Sequence, residues 1–243
     1  MMVRVISLPR STERRRSFQE ANPFLKYEFH DAVDGRDLPC EIFEEQNYFT
    51  DSLSYSDGAV GCALSHLALW EEAMRTGAAV TVAEDDAIFR RDFHAMQEAL
   101  LSQMHQEWDI IVWAWNFDSI LSLNVMPHVS PAVAVFDQES LRASIPAFVK
   151  SSTVPTLFRL DKCFGTPAYT ISPKGAGNFK RLCFPLNAFR VWFPLLNREI
   201  PNNGIDIAMN RYYAELTSFV SFPPLAVTKN DHSISTVQNV GGP

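Results

Sequence analysis

Ala79-Val80-Thr81-Val82-Ala83 runs directly into Glu84-Asp85-Asp86, and the reading of this stretch decides the fold. The β-prone residues make a short buried strand, and three carboxylates end it. Ahead of it, from Asp57 to Thr76, Val60, Leu64, Leu67, Ala68 and Met74 recur at spacings of three and four, and Gly77 closes the pattern as a helix C-cap does. Behind it, Asp92 starts a helix reaching about Gln103, and Asp109 to Val112 is a further buried strand. Helices and strands alternate, which predicts an α/β fold: a mostly parallel, Rossmann-like sheet flanked by helices. Ligands of such sheets bind beyond the carboxyl ends of the strands, where these carboxylates stand.

The same alternation extends outward. Val3 to Ser7 is a strand stopped by Pro9, Ser11 caps a helix through Phe18, and Lys26 to Phe29 is a second strand. Towards the end, Ala168 to Ser172 reads as a strand, Pro173 starts a helix through Leu182, and Ile205 to Leu216 has helical spacing. Residues 116–162 carry several prolines and no clear period, and are expected to form loops and irregular strands beside a substrate cleft. There are no internal repeats. The whole chain, 1–243, is expected to be one domain.

Composition narrows the function classes. The chain has 243 residues, 47% hydrophobic, and a net charge of -7, enough for a full core and without the clustered basic face that nucleic acid requires. Cys40, Cys62, Cys163 and Cys183 are scattered, with no C-x-x-C and no histidine at metal-ligand spacing, so neither a zinc site nor a disulfide framework is signalled and a reducing cytoplasm is the expected compartment. Met1 leads into Val3-Arg4-Val5-Ile6 without the regions of a signal peptide, and no apolar run approaches a membrane span, so a soluble or peripheral protein is expected. Phe179 to Leu196 mixes aromatic residues with Lys180, Arg181 and Arg190. It suits either a core element broken by Pro185 and Pro194 or a headgroup boundary at the membrane.

Three adjacent carboxylates repel one another unless a divalent cation and its phosphate ligand occupy the site, so Glu84-Asp85-Asp86 reads as a metal-diphosphate site. In extended geometry Glu84 and Asp86 point to one side and Asp85 to the other, and Asp86, nearest the loop, is the first candidate ligand. The competing reading is a solvated acidic turn serving the next helix. Asp206, in a turn-rich helix entry, reads by itself as an ordinary first-turn carboxylate. Asp231 and His232 are candidates to close a coordination sphere or residues of a polar tail.

Val5-Ile6-Ser7-Leu8 with Arg10 and Arg14-Arg15, then Asp31-Ala32-Val33-Asp34-Gly35, Gly58-Ala59-Val60-Gly61-Cys62-Ala63-Leu64-Ser65-His66, Val82-Ala83-Glu84-Asp85-Asp86 and Gly165-Thr166-Pro167-Ala168-Tyr169-Thr170-Ile171-Ser172-Pro173-Lys174-Gly175 resemble, in order and spacing, glycosyltransferase family 25. That family holds bacterial lipooligosaccharide galactosyltransferases and collagen galactosyltransferase domains. The resemblance implies a GT-A-type fold, a uridine-diphosphate (UDP) sugar donor, Mn²⁺ or Mg²⁺, and inversion at the anomeric carbon. It implies hexose transfer, galactose foremost, to a hydroxyl of a lipooligosaccharide, lipopolysaccharide or related lipid-linked glycan.

On that reading residues 1–115 form the nucleotide-sugar half and 116–243 the acceptor side. Ser7, Leu8, Arg10, Arg14, Ser65, His66, Glu84 and Asp85 contact the donor, Asp86 with Glu84 and His232 hold the metal, and Asp206 is the general base. His66 and Ser65 also suit hydrogen-bonded core positions, and Arg14 a solvated helix face. The chain departs from the family pattern at Val112-Trp113-Ala114-Trp115-Asn116, whose indoles suit sugar stacking or core filling alike. A metal-dependent phosphohydrolase or a non-catalytic glycan- or nucleotide-binding module would use the same fold. The phosphohydrolase lacks a second acidic cluster and a nucleophile motif in this sequence.

Overall fold

A computed structural model describes residues 1–38, 48–193 and 196–229. The elements are, in chain order, β1 (Val3–Ser7), α1 (Thr12–Ala21), β2 (Tyr27–Asp31), a 3-10 turn (Gly35–Asp37), α2 (Asp57–Thr76), β3 (Val80–Glu84), β4 (Ala87–Phe89), α3 (Phe93–Ser102), β5 (Ile110–Ala114), β6 (Ile120–Met126), β7 (Ser130–Val135), α4 (Gln138–Val149), β8 (Thr156–Cys163), β9 (Ala168–Ile171), α5 (Pro173–Cys183), β10 (Arg190–Phe193), β11 (Arg198–Pro201), α6 (Ile205–Asn210), β12 (Ser218–Phe222) and β13 (Ala226–Thr228).

Among the described residues, nine strands form one sheet in the order β2-β1-β3-β9-β5-β12-β8-β6-β7. The pairings make β2, β1, β3, β5, β12 and β6 run one way and β9, β8 and β7 the other. The mostly parallel α/β sheet expected from the alternation is therefore present, with one reversed strand, β9, inserted at its centre. Strands from both halves of the chain interleave there.

Side-chain alternation assigns the two layers. On β5, Ile110 and Val112 join the core beneath α2 and α5, with Leu64, Leu67, Trp70, Ala176 and Phe179. Ile111 and Trp113 face the opposite layer with Phe18 of α1 and Phe93 and Leu100 of α3. Each such side chain removed from water contributes roughly 1.5–3 kcal/mol, so burial on both faces fixes the strand's register. β9 is held by a buried polar knot: the paired hydroxyls of Thr81 and Thr170 lie 2.9 Å apart, Gln97 of α3 donates to both, and the Trp113 indole donates to Thr170 at 2.7 Å.

Residues 116–162 correct the expectation of loops and irregular strands: they form β6, β7, α4 and most of β8. The sequence signal is weak because β7 is an edge strand and α4 buries none of its residues, so neither shows a clear apolar face. The helix expected to reach Leu216 ends at Asn210. The Asn210 side chain accepts from Cys163 N at 3.0 Å and donates to Cys163 O, tying the helix end to β8. Helix α2 spans Asp57–Thr76 as expected, with Ser56 accepting from Ala59 N at 3.2 Å and Gly77 left-handed at φ 67°.

Candidate functional site

Parallel pairing sets Ile6 opposite Glu84, so the carboxyl ends of β1 and β3 finish together. The reversed β9 pairs Ala168 with both Ala83 and Ala114, which delivers the preceding Gly165-Thr166 turn to that same sheet edge. The pairing of Thr228 with Ala87 brings the end of β13 beside Asp86. Segments far apart in sequence meet there because of strand order.

The three carboxylates part company. Asp85 turns to β1 and α1, accepting from Ser7 Oγ at 2.6 Å and from Arg14 Nε at 2.8 Å, with Arg14 Nη2 also on the same oxygen. Ser7, Arg14 and Asp85, all expected on the donor, thus engage one another. Burial works against the Arg14 charge, but Asp85, Asp86 and Glu84 outweigh it and hold the guanidinium above its ordinary range.

Glu84 faces the other way. Its Oε1 accepts from Thr166 Oγ1 at 2.7 Å and lies 3.8 Å from His66 Nε2. Burial pushes the Glu84 carboxyl up, yet the His66 imidazole, the Thr166 hydroxyl and Arg14 prevail and hold it below its ordinary range. His66 is fully buried and its Nδ1 lies 2.7 Å from Tyr169 Oη, which also accepts from Trp70 Nε1 at 2.9 Å. Cys62, one helical turn before His66, completes a group in which one ligand atom each of Cys62, His66 and Glu84 lie within 4.8 Å of one another. This corrects the statement that no histidine stands at ligand spacing from a cysteine: Cys62 and His66, four apart on α2, share a face. The thiol is pushed well up by burial and by the charges of Glu84, Asp206 and Asp86.

Asp86 is the frustrated member. Oδ2 accepts from Thr228 Oγ1 at 3.0 Å, while Oδ1 is buried without a hydrogen-bond partner. Burial, then the charge of Glu84, raises its pKa to about 6. Asp206 lies in the first turn of α6 and accepts from Gly165 N at 3.0 Å. Burial raises its carboxyl above the ordinary value against the pull of the Gly165 and Ile207 amides. Gly165 takes the left-handed region at φ 74°, and a Cβ there would meet Asn116. Arg14, Glu84, Asp86 and Asp206 all act on the Cys62 thiol, so they share one electrostatic neighbourhood.

The other candidates are engaged in contacts of their own. Ser65 donates to Gly61 O at 2.7 Å and accepts from Val33 N at 2.9 Å, bonding α2 to the chain after β2. Leu8 O accepts from Ser11 N at 2.9 Å, and Arg10 pairs with Asp34. His232 and Asp231 lie outside the described residues. Trp113 and Trp115 are both fully buried, which makes them core filling, Trp115 stacked on Phe117 at 5.2 Å. In the 179–196 segment Phe179, Val191 and Phe193 are core, while Trp192 is exposed. Thr166, Tyr169, Thr228 and Cys62 were missed as site residues; Cys62 had a readable signal in its spacing from His66, Thr166 and Tyr169 lay in the Gly165–Gly175 segment that resembles the family, and Thr228 had none.

Together these features define an α/β protein, a mostly parallel sheet flanked by helices, with an acidic site at the carboxyl ends of its strands. The model of the family described as Glycosyltransferase family 25 (LPS biosynthesis protein) matches residues 1–190, and the chain belongs to that family. Two relatives named Inactive glycosyltransferase 25 family member 3, from Mus musculus and Homo sapiens, are 34% and 32% identical to it over 121 residues. Each match covers 44% of this chain and 20% of the relative, so the chain spans about a fifth of the length of these curated relatives. The solved structure of A197 from STIV aligns over 95% of both chains at 8% identity and a TM-score of 0.39. No helix among the described residues is long and apolar enough to cross a membrane.

Proposed function

We propose that this chain is an inverting glycosyltransferase that moves a hexose, galactose foremost, from a UDP-sugar to a hydroxyl of a lipooligosaccharide or related lipid-linked glycan. The carrying observation is Asp86 Oδ1, a buried carboxylate oxygen without a partner, in a chain of this family. An oxygen so placed fits a hard divalent cation, Mn²⁺ or Mg²⁺, and Asp86 with Glu84 would hold it. When bound, such a cation neutralises charge developing on the departing diphosphate. His232 remains a candidate further ligand.

The chain's own residues supply the rest of the chemistry. As the acceptor oxygen bonds to the anomeric carbon and the bond to the UDP oxygen breaks, the acceptor hydroxyl loses its proton. Asp206 takes it: the Gly165 amide fixes one oxygen, and burial makes the carboxylate more basic than in water. Arg14 and Ser7, locked on Asp85, shape the donor pocket beside the strands, together with Leu8, Arg10, Ser65 and His66. Residues 1–115 carry most of the donor side and 116–243 the acceptor side. The exposed Trp192 with Arg190 on β10 suits peripheral contact with an inner-membrane surface from the cytoplasm.

A second reading is favoured by the names of the two mammalian relatives, which call those proteins inactive: a nucleotide- or glycan-binding module without turnover. The deciding experiment screens UDP-galactose, UDP-glucose and their N-acetylamino counterparts for binding and transfer, with Mn²⁺ and with chelator. Metal-dependent transfer from one donor, abolished in Asp206→Asn while donor binding persists, supports the transferase. Donor binding without turnover on any lipooligosaccharide acceptor sinks it in favour of the binding module.

A further inference from the structure

The Trp70, Tyr169 and His66 side chains form a chain of polar contacts that ends at Glu84, and its proton arrangement is determined by what each group is able to donate. All three are fully buried. An indole nitrogen only donates, so the 2.9 Å contact makes Tyr169 Oη an acceptor from Trp70. The phenol proton then has His66 Nδ1, at 2.7 Å, as its acceptor. With the opposite assignment, Nδ1–H giving to Tyr169, two donors would converge on one oxygen and the phenol proton would be buried without a partner, which folded proteins avoid. Tyr169 lies far above its ordinary pKa because of burial, so it keeps that proton.

Nδ1 therefore carries a lone pair, and the imidazole proton sits on Nε2. That atom is buried, has no hydrogen-bond partner, and lies 3.8 Å from Glu84 Oε1. The separation is beyond a hydrogen bond, and contacts of this kind in ligand-free sites shorten when a ligand draws the groups together. Thr166 already donates to the same oxygen, so a second donor would leave the other carboxylate oxygen as the one available to a ligand.

The geometry points to Trp70 and Tyr169 as positioning residues that lock the His66 side-chain proton on Nε2, where its task is to orient the Glu84 carboxylate. His66 is on this account neither a proton acceptor nor a metal ligand. The inference deepens the transferase reading, on which it rests for the importance of Glu84, but its first test requires no turnover.

Long-range ¹H–¹⁵N spectra of the labelled protein at neutral pH report the tautomer of each of its 6 histidines, and the loss of one set in His66→Gln assigns His66. A neutral Nε2–H pattern is expected. An Nδ1–H pattern would overturn the proposal, since it turns the Nε2 lone pair toward Cys62 and Glu84 as a soft-metal site requires; an imidazolium would overturn it equally. The second test is conservative rescue. His66→Leu and Tyr169→Phe are expected to lower kcat roughly 10- to 100-fold, whereas His66→Gln, whose amide donates from nearly the same place but cannot act as base, is expected to recover most of the kcat lost in His66→Leu. Gln as inactive as Leu would overturn the donor role. Absence of transfer in the wild-type protein, with the Nε2–H pattern present, would refute the transferase reading and leave the tautomer assignment standing.

Discussion

Asp86 carries a conflict that only a ligand or a proton resolves. Its Oδ1 has no partner, Glu84 repels its charge, and its pKa rises to about 6. Because the folded chain holds this proton more tightly than the unfolded chain, the stabilisation is complete below the ordinary aspartate value of about 3.9. It is lost as pH rises through about 6. The metal-free protein should therefore lose at most about 3 kcal/mol across that interval through Asp86. Urea unfolding in chelator, across that interval, should show this slope in the wild type and a flatter one in Asp86→Asn. Equal slopes would mean that the carboxylate is not strained. The same ionisation sets the affinity for a cation, which should fall as pH drops below about 6 as protons compete for the carboxylate.

Helix α2 makes the site possible because it carries Cys62, His66 and Trp70 on the turns facing the sheet, and two of its glycines hold it for different reasons. Gly61 is packed against the chain after β2, where a Cβ would come within 2.4 Å of Val33 O; Gly77 faces open space and is required only for its left-handed φ of 67°. Gly61→Ala should cost about 1–3 kcal/mol and lower transfer, since it lifts His66 from Glu84, while Gly77→Ala should cost about 1 kcal/mol with transfer unchanged. Denaturant midpoints and initial rates of the two variants decide this, and equal losses of activity would break the link between α2 packing and the site. Elements of this kind were legible in the sequence because the spacing and the Gly77 cap agree. The β6–β7 hairpin and α4 were not, since an edge strand and a helix with no buried residue show no consistent apolar face, and Pro146 inside α4 reads as a breaker. Of the site, the consecutive Glu84-Asp85-Asp86 could be read directly. Their partners could not: Thr166 is 82 residues from Glu84 and Thr228 is 142 from Asp86, and strand order alone brings them close.

At the scale of the molecule, the reversed strand β9 at the centre of the sheet gathers residues of both halves at one edge, while the chain carries a net charge of -7. On the proposed function, a nucleoside diphosphate approaching that edge would meet Glu84, Asp86 and Asp206, with Arg14 already engaged by Asp85. Donor and divalent cation should therefore bind cooperatively, each supplying what the other lacks in charge. Ligands that bind only the folded state raise its stability by RT ln(1 + [L]/Kd), about 2.7 kcal/mol at a hundredfold excess over Kd. The thermal midpoint should rise with Mn²⁺ and UDP-sugar together by clearly more than the sum of the two separate shifts, and Asp86→Ala should reduce the joint shift to that sum. Additive shifts in the wild type would show that the cation and the diphosphate do not meet, and that the buried oxygen of Asp86 serves some other group.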